Sequence, residues 1–544
     1  MSAPAPCLMV QGTASGVGKS LLVTAFCRIF ARAGYRVAPF KSQNMALNAA
    51  VTLGGGEIGR AQAAQADAAG IEATVDMNPI LLKPEPGYRS QVVVRGRAIT
   101  SVTWHEYQRM QAELLPIVAE SLARLRRAWD LVIIEGAGSP AEINLRDSDI
   151  VNMRVARMAE ASVLLVGDID RGGVFAALLG TLALLDLPDR ARIGGLIVNR
   201  FRGDETVLAP GLAELSTRSG VPVLGVVPYL ESPLVPSEDS LDLDDRSRWG
   251  APGAIDVAVV RLPLISNFDD FEPLAAEPGV RVRFVRGADE IGGADVIVLP
   301  GSKSTVSDLR WLFASGLAHA IQRAAAEGRP VIGVCGGYQM LGEAVHDPER
   351  VESDTVTTMA LGLLPVATTF VPGKTTVRVR ARVGRASGPF SGAAGRVLAA
   401  YEIHSGRTSP SSPAPFTIVE RSGGLVHDAD GAVSATSESR RREASRSAAG
   451  PGDRSGPRRS AEPLSPRRVA RPAARGGTAL ALPWLAPIPA GRWRRARHRR
   501  RGAGRRGRSA RVSARRSSRI RRTSHRSGRP HVPALAPGPR VGRS

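Results

Sequence analysis

An apolar run over residues 7–12 passes straight into a glycine-rich turn, Gly12-Thr13-Ala14-Ser15-Gly16-Val17-Gly18-Lys19-Ser20. A helical pattern follows over 19–33 and stops at Gly34. This order constrains the fold more than any other feature. A parallel strand has to be left through a crossover, and a helix opening directly behind a strand supplies one. Short apolar runs over 35–40, 131–134, 161–166, 193–199 and 223–227 repeat the theme and predict further strands of one parallel sheet.

The turn has the form of a phosphate cradle. In such a loop, backbone N–H groups and a helix N-terminus converge on an anion, a lysine adds a point charge and a hydroxyl meets Mg2+. Gly12, Thr13, Gly16 and Gly18 form the loop, Lys19 supplies the charge and Ser20 the hydroxyl. Gly12 lies six residues before Gly18, one more than the common spacing, and Thr13 stands where the first glycine is usual. Residues 1–230 are therefore predicted to be a P-loop NTPase-like α/β domain that binds ATP. Glu135 ends the run at 131–134, where ligands collect in open α/β sheets, and is the candidate to hold Mg2+ directly or through water. Asp168 and Asp170 end the next strand and are second candidates. Lys41 follows the run at 35–40 and is expected to reach a phosphate or a substrate carboxylate, with an ordinary solvated lysine as the alternative. Asn199 ends the run at 193–199 and either reads the nucleotide base or forms a turn.

Pro228, Pro233, Pro236, the acidic run 239–245 and Pro252-Gly253 mark a linker over 231–253. A second α/β pattern occupies 254–437. It has predicted strands over 255–261, 280–285, 296–299 and 331–334, helices over 307–312 and 317–326, and a β-rich continuation over 377–383 and 396–403. Within it, Gly333-Val334-Cys335-Gly336-Gly337 reads as a strand and a sharp turn opening a helix. Such an elbow presents a thiol at a helix N-terminus, whose dipole lowers the thiol pKa. Cys335 is thus the candidate nucleophile. The Gly336 N–H faces the developing oxyanion, and the Pro300-Gly301-Ser302 loop offers a second donor at Gly301. A thiolate nucleophile also needs a general base, usually histidine. His404, in Tyr401-Glu402-Ile403-His404, fits that pattern best, with a substrate-contacting or structural histidine as the alternative.

Charge is distributed unevenly. Residues 438–544 hold 31 Arg, no Lys and 4 acidic residues, a balance of +27, so the total of +23 leaves 23 − 27 = −4 for residues 1–437. The same stretch lacks Phe, Tyr, Asn, Gln, Met and Cys and shows no sustained apolar periodicity, so it is expected to be disordered. Its charge suits nucleic acid, but it lacks the aromatic interleaving of stacking modules, and nucleic acid is not the expected partner. Three cysteines cannot frame a disulfide scaffold, no basic n-region with an apolar core opens the chain, and no apolar run nears the ~20 residues of a membrane span. These readings predict a cytoplasmic enzyme with no membrane partner. A homo-oligomer is compatible with them.

At this level of detail the residues resemble the cobyric acid synthase family. The resemblance rests on the phosphate loop, Lys41-Ser42-Gln43-Asn44-Met45-Ala46-Leu47-Asn48, the stretch Gly56 to Gln62, Asp76-Met77-Asn78-Pro79 and the stretch Glu135 to Glu142. It continues through the stretches Asp168 to Gly173, Ile265 to Asp270, Pro300 to Thr305 and Val334 to Met340, and ends with Tyr401-Glu402-Ile403-His404. It covers residues 8 to about 435. It implies a dethiobiotin-synthetase-like amidoligase domain, which shares the longer loop spacing, followed by a class I glutamine amidotransferase domain. It further implies glutamine as nitrogen source, ATP with Mg2+ as activator, and amidation of the b, d, e and g carboxylates of the corrinoid adenosylcobyrinic acid a,c-diamide. Cobyrinic acid a,c-diamide synthase is the nearest alternative, and the Asn44-Met45-Ala46-Leu47-Asn48 and Glu135 to Glu142 stretches argue against it.

One departure stands out. The family's catalytic histidine lies about 100 residues after the cysteine, in a motif like Gly-Thr-Tyr-x-His-Gly-Leu-Phe, and that motif is absent here. His404 matches a different family motif, so the base role does not pass to it. The chain instead enters the Arg, Ala, Pro, Gly and Ser composition that a GC-rich gene yields when read out of frame. We therefore expect that the reading frame shifts near 435–440. Sequencing the gene across codons 425–450 should reveal a Tyr-x-His-Gly segment in another frame; its absence from both alternative frames contradicts the shift.

Overall fold

The computed structural model describes residues 3–230, 243, 248–249, 255–384, 391–409, 414–434 and 479–482. In the first domain, β1 (Cys7–Gly12), β2 (Val37–Phe40), β3 (Leu131–Glu135), β4 (Ser162–Asp168), β5 (Ile193–Phe201) and β6 (Val223–Pro228) form one sheet in the order β6-β5-β4-β1-β3-β2. All its pairings are parallel. Helix α1 (Lys19–Arg32) leaves β1 through the glycine loop. β1 is central, between the later strands β3 and β4, so the loop opens at the carboxyl edge where strand order reverses and ligands bind. Met9, Val10, Ile133, Ile134, Val163 and Leu165 are fully buried, as strands covered on both faces require.

A four-stranded accessory sheet, Gln43–Met45, Ile80–Glu85, Arg89–Val94 and Arg97–Thr103, was not legible as strands. Its last two strands join through Arg95 and Gly96, both at positive φ (44° and 78°), the turn chemistry of a tight hairpin. Thr103 then caps the Trp104–Ala128 helix in a full capping box with Glu106.

The second domain holds β7 (Ile255–Val260), β8 (Val280–Val285), β9 (Val296–Leu299) and β10 (Val331–Val334), parallel in the order β8-β7-β9-β10. The linker predicted over 231–253 falls mostly outside the described residues, but Arg248–Trp249 pairs antiparallel with β8. The disorder expected over 438–544 likewise falls outside them, except that the backbone of Ala479–Leu482 pairs in parallel with β10. That four-residue Ala-Leu alternation suits a strand, despite the composition around it. A mostly antiparallel sheet built on β11 (Ala367–Val383) and β12 (Val397–Thr408) completes the domain, with Ala344–His346 its one parallel pairing among the described residues. Among the described residues, no helix is long and apolar enough to cross a membrane.

Helix α2 (Gly336–Leu341) follows β10 with only Cys335 between them. It packs so closely that a Cβ on Gly337 would run into the Leu299 carbonyl, and one on Gly333 would lie 2.7 Å from the Gly337 oxygen. Gly337→Ala is expected to destabilise the fold by about 1–3 kcal/mol, because the obstacle is backbone that cannot swing away. Chemical denaturation checks this; an unchanged midpoint contradicts the packing described.

Candidate active site

The phosphate loop is held from beneath and from the side. Thr13 donates its backbone N–H to the Val166 carbonyl at 2.9 Å. Gly16 and Gly18 adopt positive φ (72° and 97°), as only glycine does cheaply. A Cβ on Gly12 would lie 2.5 Å from Val17 Cγ2 and 3.1 Å from Lys19 Nζ. Lys19 Nζ donates to the carbonyls of Ala14 (2.9 Å) and Gly138 (3.0 Å), so the lysine lies within the loop. These features fit a nucleotide phosphate: a glycine cradle, an inward ammonium and the N-terminus of α1.

Glu135 is the hub of this site. Ser20 Oγ donates to Glu135 Oε1 at 2.9 Å, Lys41 Nζ pairs with the same oxygen at 2.9 Å, and Gln65 Nε2 donates to Oε2. Ser20 and Glu135 thus come together, and their hydroxyl and carboxylate oxygens are of the kind that Mg2+ takes alongside phosphate and water. Lys41 is buried in an ion pair, so the solvated alternative does not hold. Asn199, expected to read the base or form a turn, supports the loop. It is buried beneath the loop, where its Nδ2 donates to the Val17 carbonyl at 2.8 Å and a Cβ on Gly18 would strike it. Its Oδ1 has no partner among the described residues. Asp168 pairs with Arg200 (2.9 Å) and Asp170 with Arg202 (3.0 Å). No cluster of three metal-ligating His, Cys, Asp or Glu side chains occurs among the described residues.

Cys335 sits at the elbow between β10 and α2 with φ 52° and ψ −115°, strained for a non-glycine residue and in keeping with a nucleophile turn. The predicted oxyanion elements converge on it. A Cβ on Gly301 would lie 3.7 Å from Cys335 Cβ, and one on Gly336 would lie 3.0 Å from the Ser302 nitrogen. Ser302 Oγ donates to Asp308 Oδ2 at 2.6 Å and accepts from the Ser304 N–H, which fixes this loop. One expectation is reversed: the thiol is buried, and burial pushes its pKa well up, against the Gly336 N–H that favours the thiolate. No histidine among the described residues hydrogen-bonds the thiol. His404 Nδ1 lies 2.8 Å from the Gly406 oxygen, and its Nε2 lies 3.9 Å from Glu402. His427 is exposed on an outer strand.

The chain is similar to known proteins along most of its length. Residues 8–239 match the CobQ/CobB/MinD/ParA nucleotide binding domain and residues 256–441 the CobB/CobQ-like glutamine amidotransferase domain. The cobyric acid synthase of Sorangium cellulosum (strain So ce56) is 57% identical over 444 residues, covering 79% of this chain and 85% of that protein. The chain belongs to the cobyric acid synthase family. Family members of Dehalococcoides mccartyi (strain CBDB1) and Moorella thermoacetica are 52% and 50% identical, with 85% and 84% of their lengths covered. It is thus an enzyme with a nucleotide-binding domain and a glutamine amidotransferase domain.

Three family stretches that the sequence left without a role meet where these domains join. Arg60 Nε pairs with Asp269 at 2.6 Å. Asn267 accepts from the Ala49 N–H at 2.9 Å and donates to Tyr401 Oη at 2.8 Å, and Tyr401 Oη donates to Asp270 at 3.2 Å. Burial and the neighbouring charge of Asp269 push Asp270 up to about 7. Tyr401 and Ile403 pack with Ala46, Ala49, Val51, Leu81 and Val93 of the first domain. Beside them Glu57 takes Lys83 of its own domain and Lys374 of the other, the latter at 2.8 Å. Burial opposes the Glu57 charge, yet Lys374 and Lys83 outweigh it and hold the carboxyl down at about 2. Lys83 has one carboxylate against burial and the charges of Lys374 and Lys303, and falls to about 8.

Glu57→Gln leaves these lysines facing each other, and losing one partner of a buried pair costs about 3–5 kcal/mol. The native carboxyl titrates below its unfolded value of 4.5, so its stabilisation is present above that pH and fades as pH falls toward 2. Denaturation of wild type and variant should show the largest gap near neutrality and a narrowing gap on the acid side. A gap that stays constant from pH 6 to pH 3 contradicts the assignment.

Proposed function

We propose that this chain amidates the b, d, e and g carboxylates of adenosylcobyrinic acid a,c-diamide to give adenosylcobyric acid, drawing on ATP, Mg2+ and a nitrogen source. The observation that carries the reading is the Glu135 hub, which gathers Ser20, Lys41 and the phosphate loop at one sheet edge. ATP with Mg2+ supplies the phosphoryl group that activates a corrinoid carboxylate for attack by ammonia. In this reading Lys19 and the loop N–H groups of Gly16 and Gly18 bind the phosphates, and Ser20 and Glu135 orient the cation. Lys41 balances the charge of Glu135 and lies close enough to meet an incoming carboxylate.

In the second domain Cys335 Sγ attacks the glutamine amide carbon. The C–N bond breaks, the amide nitrogen leaves as ammonia after taking a proton, and water hydrolyses the thioester to glutamate. Gly336 and the Gly301-Ser302 turn stabilise the oxyanion. The proton transfers need a base and acid. With the thiol pKa raised by burial and no histidine among the described residues bonded to Cys335, this half reaction is expected to be severely slowed, while ammonium can still serve the first domain.

The test is mass analysis of the corrinoid after incubation with the diamide, ATP and Mg2+, with either glutamine or ammonium. Four added amides with ammonium, and a glutamine-supported rate at least about 100-fold lower, are expected, since general acid–base groups contribute 10²–10⁴-fold. Equal rates contradict the impaired glutaminase. No amide with either nitrogen source contradicts the substrate assignment.

A further inference from the structure

A groove of about 680 Å3 opens on the accessory sheet of the first domain, and none of its lining residues is one assigned to the phosphate loop, the Glu135 hub or the Cys335 elbow. It is lined by Met45, Pro84, Tyr88, Arg89, Trp104 and Tyr107, among others. The chain is poor in aromatics, with 6 Trp, 6 Tyr and 12 Phe in 544 residues, yet three line this groove. Two of them face solvent: Tyr88 is 99% exposed and Trp104 42%, and Met45 beside them is 49% exposed. Tyr88 also holds φ 57° at its hairpin tip, a conformation a bulky side chain adopts only at a cost. Packing explains none of this exposure. Tyr107 is buried and gives its hydroxyl to Gln43, so the floor is fixed; Trp104 packs at a tilt on it, ring centroids 6.3 Å apart, and keeps its outer part in solvent.

We propose that this groove holds the corrin macrocycle of the substrate, with Tyr88 and Trp104 against the apolar ring face and Arg89 toward its peripheral carboxylates. This deepens the function proposed above and rests on it. The size lies within the ~300–1,000 Å3 of small-molecule sites. The chemistry matches a large flat ring with acidic arms. Among the described residues, the Arg89 side chain is held by the Ser101 carbonyl and by a 3.9 Å contact with Glu106, both sides being solvent-accessible, so it can turn to a carboxylate. Glu85 on the rim is neutralised by Lys303 at 2.7 Å.

The position also fits. Lys41, on the Glu135 hub, lies four residues from Met45 along an extended path of about 13 Å at ~3.3 Å per residue. A macrocycle seated at Met45 can therefore extend an arm toward the phosphate loop. A surface that grips the ring face, rather than individual arms, accepts the ring in several orientations and so can present any of four carboxylates. A pocket built of fixed polar clamps would select only one.

The experiment is equilibrium dialysis of the full chain with dicyanocobyrinic acid a,c-diamide, followed by the corrin's visible absorbance, with binding of a fluorescent ATP analogue measured in parallel. Tyr88→Gly, which relieves the tip backbone and removes a fully exposed side chain, and Arg89→Ala should each weaken corrinoid binding about tenfold, an energy of ~1.4 kcal/mol. The double change Tyr88→Gly/Trp104→Ala should weaken it further. Nucleotide binding should stay unchanged in all three, which also reports that they fold. Wild-type corrinoid affinity in Tyr88→Gly and Arg89→Ala overturns the groove and leaves the substrate assignment standing. A wild-type chain that binds the ATP analogue but no corrinoid overturns the substrate assignment, and the groove's role with it.

Discussion

A carboxylate buried between two lysines from different domains is the constraint on which the rest of this molecule depends. Glu57 is almost fully enclosed, and water cannot solvate its charge. Only the simultaneous approach of Lys83 and Lys374 makes that charge tolerable, so the ion group forms when the two domains are docked. Arg60 with Asp269, and Tyr401 with Asp270 and Asn267, repeat the arrangement a short distance away. The apolar contacts of Tyr401 and Ile403 lie between them and exclude water. The joint is therefore built from charges that are costly when separated, which favours one relative placement of the two centres over many.

The strand Ile80–Glu85 shows how much passes through this joint. Alternation along a strand sends Lys83 toward Glu57, while Leu82 and Pro84 line the groove on the accessory sheet. Glu85 reaches Lys303, whose loop abuts Cys335. One six-residue segment thus touches the proposed macrocycle site, the interdomain ion group and the loop that shapes the oxyanion site. The phosphate site is tied in at the other end, through Lys41 and the strand that follows it.

Both candidate centres stand out in the sequence because the chemistry proposed for them needs residue types at fixed short spacings. Gly16, Gly18, Lys19 and Ser20 lie within five positions, and Cys335 lies between Gly333 and Gly336. The central strands of both parallel sheets were legible for a similar reason: buried on both faces, they read as continuous apolar runs. The accessory sheet hid because its strands mix polar with apolar residues, and Gln43–Met45 is too brief to show a period. The joint was invisible for another reason. Glu57, Lys83 and Lys374 are ordinary charged residues separated by up to 317 positions, and only the fold brings them together. Sequence reasoning also gave Cys335 a lowered pKa from its turn. The structure reverses the sign because enclosure of the thiol outweighs the Gly336 N–H.

The central claim is a division of labour: the phosphate loop activates the carboxylate, and the thiol only liberates ammonia. The most direct test compares Lys19→Ala and Cys335→Ala for ATP-dependent amidation of the corrinoid diamide with ammonium as the nitrogen source. The account predicts that Cys335→Ala matches the unaltered chain and that Lys19→Ala forms almost no amide. Equal loss in both variants, or retention in Lys19→Ala, would contradict it.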